Sequence, residues 1–168
     1  MTARLFDELP ELENIPGCCG VKVFMGLSVG SLLVTDHDDL NNIVSSINNR
    51  ASFHCEDQDL LEKRIDFQVQ GDINSHEVWR NDEQCFKATQ RIVNIARMNK
   101  KNIHILHVST KQEIEFLSKN KDIASVEITP QHLTLNAPDC YNKLGSYAQM
   151  NPPIRNLSHQ KKLWEGTL

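Results

Sequence analysis

The sequence predicts an α/β fold of parallel strands alternating with helices, amounting to about half of a TIM-type β/α barrel. Two observations carry that expectation. Short apolar runs alternate with helical patterns along the chain, and three of the runs, GVKVFMG, ASFHCED and IHILHVST, hold a potential metal ligand, Lys22, His54 and His107. Ligands at the carboxyl ends of neighbouring parallel strands converge on one mouth, which is how such a barrel builds a site. With 168 residues the chain has the length of one domain with its own core. A complete barrel takes about 250 residues, so a single incomplete barrel domain over residues 1–168 is expected.

In chain order, Leu5, Phe6, Leu9 and Leu12 stand at helical spacing within Thr2–Asn14, ahead of Pro16-Gly17. Strand patterns fall at Gly20–Phe24, Ala51–His54, Asn102–His107 and Ala124–Ile128, with a weaker one near Tyr147–Met150. Helical patterns occupy His37–Asn48, Asp57–Arg64, Asp82–Asn99, Lys111–Lys119 and Leu157–Glu165. In the longest of them Phe86, Ile92, Val93, Ile95 and Ala96 form one apolar stripe. Ile65–Ser75 has no periodicity, contains Gly71-Asp72, and reads as a loop. No repeat, low-complexity tract or Pro/Gly-rich linker divides the chain.

A formal charge of −4 with 18 Lys+Arg offers no basic surface for nucleic acid, while small anionic substrates remain open. No apolar stretch approaches the ~18 to 20 residues that span a bilayer, and the start MTARLFDELPELE is acidic, unlike a secretory signal. A cytoplasmic protein without membrane or nucleic-acid partners is expected. The five cysteines form no CxxC pair and no finger-like spacing with histidine, so thiols packed in or near the core are expected.

His107 closes its strand, and Thr110 with Glu113 three residues on forms a capping-box pattern. Taken alone, His107 is either a ligand or a buried hydrogen-bonded histidine. His104, three positions earlier on a strand, should face the opposite way, so only one of the two should point to the barrel axis. His54 precedes Cys55-Glu56-Asp57, whose carboxylates either orient a ligand histidine or favour the start of the next helix through its dipole. Lys22 interrupts an apolar strand. Facing inward it would be costly as an unpaired ammonium, unless its neutral amine takes up carbon dioxide to form a carbamate able to bridge two cations. Facing outward it would snorkel to water. Glu127–Leu133 and Met150–Arg155 look like strand-end loops. Pro152-Pro153 would hold Asn151 still as a donor and acceptor, and Arg155 either grips a carboxylate or lies exposed at a helix start.

The ordered set GVKVFMG…GSLLV, HCED, HILHVST, EITPQHLTL and MNPPIR resembles the central part of bacterial dihydroorotases, in the cyclic-amidohydrolase branch of the metal-dependent amidohydrolase superfamily, from about Arg4 to Glu165. The resemblance implies that Lys22 matches the lysine that is carboxylated and bridges two zinc ions, a position some members fill with aspartate. It implies that His54 and His107 bind the second zinc and that Asn151 contacts substrate. His132 lies in a motif often written with two histidines; Gln131 stands at the first, and no metal role is assigned. The implied reaction is the reversible cyclisation of N-carbamoyl-aspartate to dihydroorotate in pyrimidine biosynthesis, with zinc polarising the amide carbonyl and acidifying a water while a carboxylate moves the proton.

The family's early His-x-His with its arginine, and its late Asp-His pair, have no counterpart in this sequence. The catalytic aspartate is therefore expected to be absent, zinc binding partial or nil, and the chain inactive alone, with sheet edges and an apolar face uncovered. Three other possibilities stand beside a split or truncated enzyme. One is a non-catalytic binding or assembly protein that joins itself, a pyrimidine-pathway enzyme or a complementing fragment. The others are a decaying gene product and a piece of an allantoinase or hydantoinase.

Overall fold

The computed structural model describes residues 6–27 and 32–167; Thr2–Leu5 of the expected first helix and Gly30-Ser31 of the GSLLV motif lie outside the described residues. Four strands, β1 (Val21–Phe24), β2 (Ala51–His54), β3 (Ile103–Ile105) and β4 (Ala124–Val126), form one parallel sheet in sequence order. Lys22, Ser52, His104 and Ser125 align as one row across it, with Phe24 beside His54 in the next. β3 and β4 end two residues before the expected limits, yet the chain keeps bonding toward the mouth. Leu106 N donates to Phe53 O, Glu127 N to Ile105 O and Val108 N to Glu127 O.

Helices α1 (Leu9–Leu12), α2 (His37–Ser46), α3 (Gln58–Lys63), α4 (Ser75–Trp79), α5 (Asp82–Asn99), α6 (Lys111–Leu117), α7 (Pro130–Thr134), α8 (Asp139–Leu144) and α9 (Leu157–Thr167) connect and follow the strands. Alternation along each strand divides the sheet into two faces. Val21, Val23, Ala51, Phe53, Ile103, Ile105 and Ala124 are buried in one core with Leu40, Ile43 and Val44 of α2 and Ile92, Val93, Ile95 and Ala96 of α5. That burial is the main stabilisation of the domain. The opposite face carries Lys22 and Ser125 exposed, and Phe24, Ser52 and His104 half-buried. The expected apolar uncovered face is thus corrected: the open side of this sheet is largely polar, because the positions facing it carry ionisable and hydroxyl side chains.

The expected capping box closes α6. Thr110 Oγ1 accepts from Glu113 N at 3.2 Å and Glu113 Oε2 accepts from Thr110 N at 3.1 Å. Asn81 caps α5, and Asp36 caps α2 through the amides of Asp38 and Asp39. The weak strand at Tyr147–Met150 is not formed; Gly145–Ala148 is a 3₁₀ turn, and α4, α7 and α8 are short helices that lacked a long enough apolar period to read. α8 and this turn build a second small core of Ala137, Cys140, Tyr141, Ala148 and Ile154, with Tyr141 OH donating to Ile154 O at 3.1 Å. The core supports the Met150–Arg155 segment. Cys55, Cys85 and Cys140 are buried free thiols, and Cys18 and Cys19 exposed ones. Among the described residues no helix is long and apolar enough to cross a membrane.

Gly26, just past β1, is where the sheet end is tightest. A Cβ there would lie 2.3 Å from Glu56 O and 2.7 Å from Glu56 Cβ. Gly26→Ala must therefore push β1 away from the residues that follow His54. The expected cost is about 1–3 kcal/mol, read as a lower urea midpoint; an unchanged midpoint would show that the close approach is unimportant.

Candidate metal centre

His54 is the last residue of β2, and His107 lies two residues beyond β3 with φ 40°, a left-handed value uncommon outside glycine. That turn breaks strand alternation and swings the ring toward β2. His54 Nδ1 and His107 Nε2 stand 2.9 Å apart, with ring planes at 78°. The expectation that only one of His104 and His107 faces the open side is therefore corrected. His104 lies there by strand alternation, and His107 arrives there by its left-handed backbone.

Behind His54 sits Glu56, fully buried. Its Oε2 is 2.8 Å from His54 Nε2 and accepts from Arg80 Nη2 at 2.5 Å, while Oε1 accepts from Arg80 Nε at 3.1 Å and Gln84 Nε2 at 2.8 Å. Burial alone would raise this carboxyl, but the His54 hydrogen bond and the Arg80 guanidinium outweigh it and hold its pKa down to about 2. An ionised Glu56 accepts from His54 Nε2–H, which leaves Nδ1 as the His54 nitrogen aimed at His107. Burial, followed by the neighbouring His54, depresses His107 to about 3 and keeps it neutral.

Where His54 Nδ1 presents a lone pair, the facing nitrogens have two arrangements. His107 Nε2 donates to His54 Nδ1, or the His107 proton sits on Nδ1 and both facing nitrogens present lone pairs to one point. In this structure His107 Nδ1 is buried without a hydrogen-bond partner. The second arrangement is a pair of nitrogen donors backed by a carboxylate, the donor set that suits zinc. In that arrangement His54 and His107 could hold a divalent cation between their facing nitrogens. Among the described residues no group of three His, Cys, Asp or Glu side chains does so.

Lys22 shares the open face with His54 but is exposed, its ammonium 4.8 Å from the centroid of the Phe24 ring. It does not snorkel past the helices. The sequence alternatives for Glu56 and Asp57 separate: Asp57 caps α3, accepting from Leu60 N at 3.0 Å, and Glu56 orients His54.

Asn151 is exposed on a segment fixed on both sides. His76 Nε2 bonds Met150 O at 2.9 Å, and His132 Nε2 bonds Pro152 O at 3.1 Å. Thr129 Oγ1 contacts the other nitrogen of His132 at 2.9 Å, so this buried histidine holds backbone. A cleft of about 540 Å³, lined by Gln68, Asp72, His76, Ser146 and Gln149 among others, reaches to within two residues of Asn151. Arg155 follows neither of its sequence alternatives. It is buried and donates to the carbonyls of Arg80 and Asn81, stapling the end of α4. Arg80 and His76 carried no sequence signal, since their partners are remote in the chain.

No family model matches the chain. Dihydroorotases of Methanosphaera stadtmanae and Pyrococcus abyssi are 30% and 32% identical to it over 145 residues, covering 82% and 86% of this chain but 33% and 31% of their own. An allantoinase of Escherichia coli is 23% identical over 175 residues, covering 95% of this chain and 38% of its own. The chain thus spans about a third of the length of the curated relatives it matches. Among solved structures, the L-hydantoinase of Arthrobacter aurescens superposes with a TM-score of 0.89 at 21% identity over 98% of this chain and 38% of that one, a likeness of fold. The chain is dihydroorotase-like, similar over most of its length to a part of that family.

Proposed function

We propose that this chain carries the two-histidine half of a zinc site of dihydroorotase type and serves the reversible cyclisation of N-carbamoyl-aspartate to dihydroorotate in pyrimidine biosynthesis only when further ligands and a proton-transferring carboxylate complete it. The observation that carries this is the His54–His107 pair, its nitrogens 2.9 Å apart and backed by the buried Glu56–Arg80 ion pair. Zinc held there would supply Lewis-acid polarisation of the amide carbonyl. The chain's own residues do the rest of what it contributes. Glu56 keeps a proton on His54 Nε2 and so keeps Nδ1 free; Arg80 and Gln84 hold Glu56 in place. Lys22 is the third proposed ligand. Uptake of carbon dioxide by its neutral amine, with release of a proton, would turn it into an anionic oxygen donor. Asn151, fixed through its neighbours' carbonyls, offers an amide donor and acceptor to the cyclic substrate.

We further propose a cytoplasmic location and association with a second copy, a pathway enzyme or a complementing segment. A second reading, a related cyclic amidohydrolase of allantoinase or hydantoinase type, has support from the allantoinase and hydantoinase similarities. Ring opening decides between them. Zinc-loaded chain is incubated with dihydroorotate, allantoin or hydantoin, alone and mixed with the remaining segments of the Methanosphaera dihydroorotase. No turnover alone, and opening of dihydroorotate in the mixture that disappears in His54→Ala, is expected. Turnover by the chain alone, or preference for allantoin, would contradict the proposal. Association that survives chelation, with no turnover in any mixture, would favour a non-catalytic assembly protein instead.

A further inference from the structure

The open face of the sheet holds a second constellation that shares no residue with the histidine pair. In the row Lys22, Ser52, His104, Ser125, the last two side chains touch: His104 Nδ1 is 2.9 Å from Ser125 Oγ. The other ring nitrogen, Nε2, lies 3.4 Å from Glu127 Oε2. Ser125 and Glu127 are two apart on the same chain segment, and so reach the same face on either side of the imidazole. A carboxylate accepts only, so Nε2 carries the proton and Nδ1 presents a lone pair to the hydroxyl. The hydroxyl's other contact, Ile103 O at 3.4 Å, is the longer of the two. Ser125 is exposed, on the last strand in the sheet order.

A hydroxyl, a base within hydrogen-bond reach and a carboxylate that orients the base are the parts of an activated serine nucleophile, recognised by geometry and not by sequence position. We infer that Ser125, assisted by His104 and Glu127, is an acyl-accepting nucleophile toward small activated esters. Ser125 Oγ bonds to the ester carbonyl carbon as its proton passes to His104 Nδ1. The ester C–O bond breaks, and that proton leaves on the departing alcohol. Water then attacks acyl-Ser125, giving up a proton through His104, and the serine hydroxyl is restored as the carboxylic acid leaves. Ester and water become acid and alcohol, and no metal or redox partner takes part.

The test uses the whole chain with p-nitrophenyl acetate in the presence of EDTA, following nitrophenolate release and mapping the acetyl group by peptide mass spectrometry. Acetylation of Ser125, lost in Ser125→Ala, is expected. His104→Ala should slow it by about 10²-fold, the lower range of general-base assistance, with partial rescue by added imidazole. Glu127→Gln, at an exposed position, should slow it less and keeps the test open if His104→Ala fails to fold, which circular dichroism reads separately. Acetyl groups on lysines or on Cys18 and Cys19 with Ser125 unmodified would overturn the inference. A release rate unchanged in Ser125→Ala, or in both folded His104→Ala and Glu127→Gln, would do so too.

Discussion

Replacing Glu56 with glutamine is expected to cost the fold about 3 kcal/mol at neutral pH, the largest effect of any single polar substitution considered. The carboxylate is fully buried and balances Arg80, itself 1% exposed. Glutamine keeps the volume but leaves the guanidinium charged, buried and unpaired, which in such pairs costs about 3–5 kcal/mol. The depressed pKa gives a concordant figure. A fall from 4.5 to about 2 corresponds to about 3 kcal/mol, at about 1.4 kcal/mol per unit.

The sign of the pH dependence follows from the same shift. The folded-state pKa lies below the ordinary value, so as pH falls the unfolded chain takes up the proton first. The contribution is complete above about 4.5 and is lost progressively as pH falls toward 2. Urea midpoints at pH 7 and at acid pH check it. The gap between wild type and Glu56→Gln should be wide at pH 7 and narrow below pH 4. A gap that is small at pH 7, or that widens in acid, would mean that the ion pair does not stabilise the fold.

The second large effect concerns zinc. If His54 and His107 bind the ion in the folded chain only, zinc at about 100 times its dissociation constant adds about 2.7 kcal/mol of stability. His54→Ala or His107→Ala should abolish that increment. Glu56→Gln should weaken affinity by about 10- to 100-fold, because the lone pair on His54 Nδ1 is then no longer fixed by a carboxylate on Nε2. Thermal melting with and without zinc reads all three variants. Equal zinc stabilisation in wild type and His107→Ala would place any bound ion elsewhere.

How much of this the sequence disclosed depends on distance along the chain. The four strands were legible because each is a short apolar run between helical periods, and His54 and His107 stood out because they follow such runs. The 2.9 Å meeting of the two rings was not legible, since it depends on the left-handed backbone at His107, and strand alternation alone had set His104 and His107 on opposite faces. For Glu56 the sequence left a histidine-orienting and a helix-start role open, and Arg80, 24 positions away, fixes the carboxylate behind His54. Arg155 read as gripping a carboxylate or exposed at a helix start because nothing in its neighbourhood announces the carbonyls of Arg80 and Asn81. Local pattern encodes the elements here, and long-range polar pairing decides the role of each side chain.

The most direct measurement is the zinc content of protein purified without chelator, by elemental analysis, beside His107→Ala and Lys22→Ala. On the order of one zinc per chain, absent from His107→Ala and reduced in Lys22→Ala, is the result expected of a site built on the His54–His107 pair. A wild type without zinc, or one whose zinc is unchanged in His107→Ala, would contradict it.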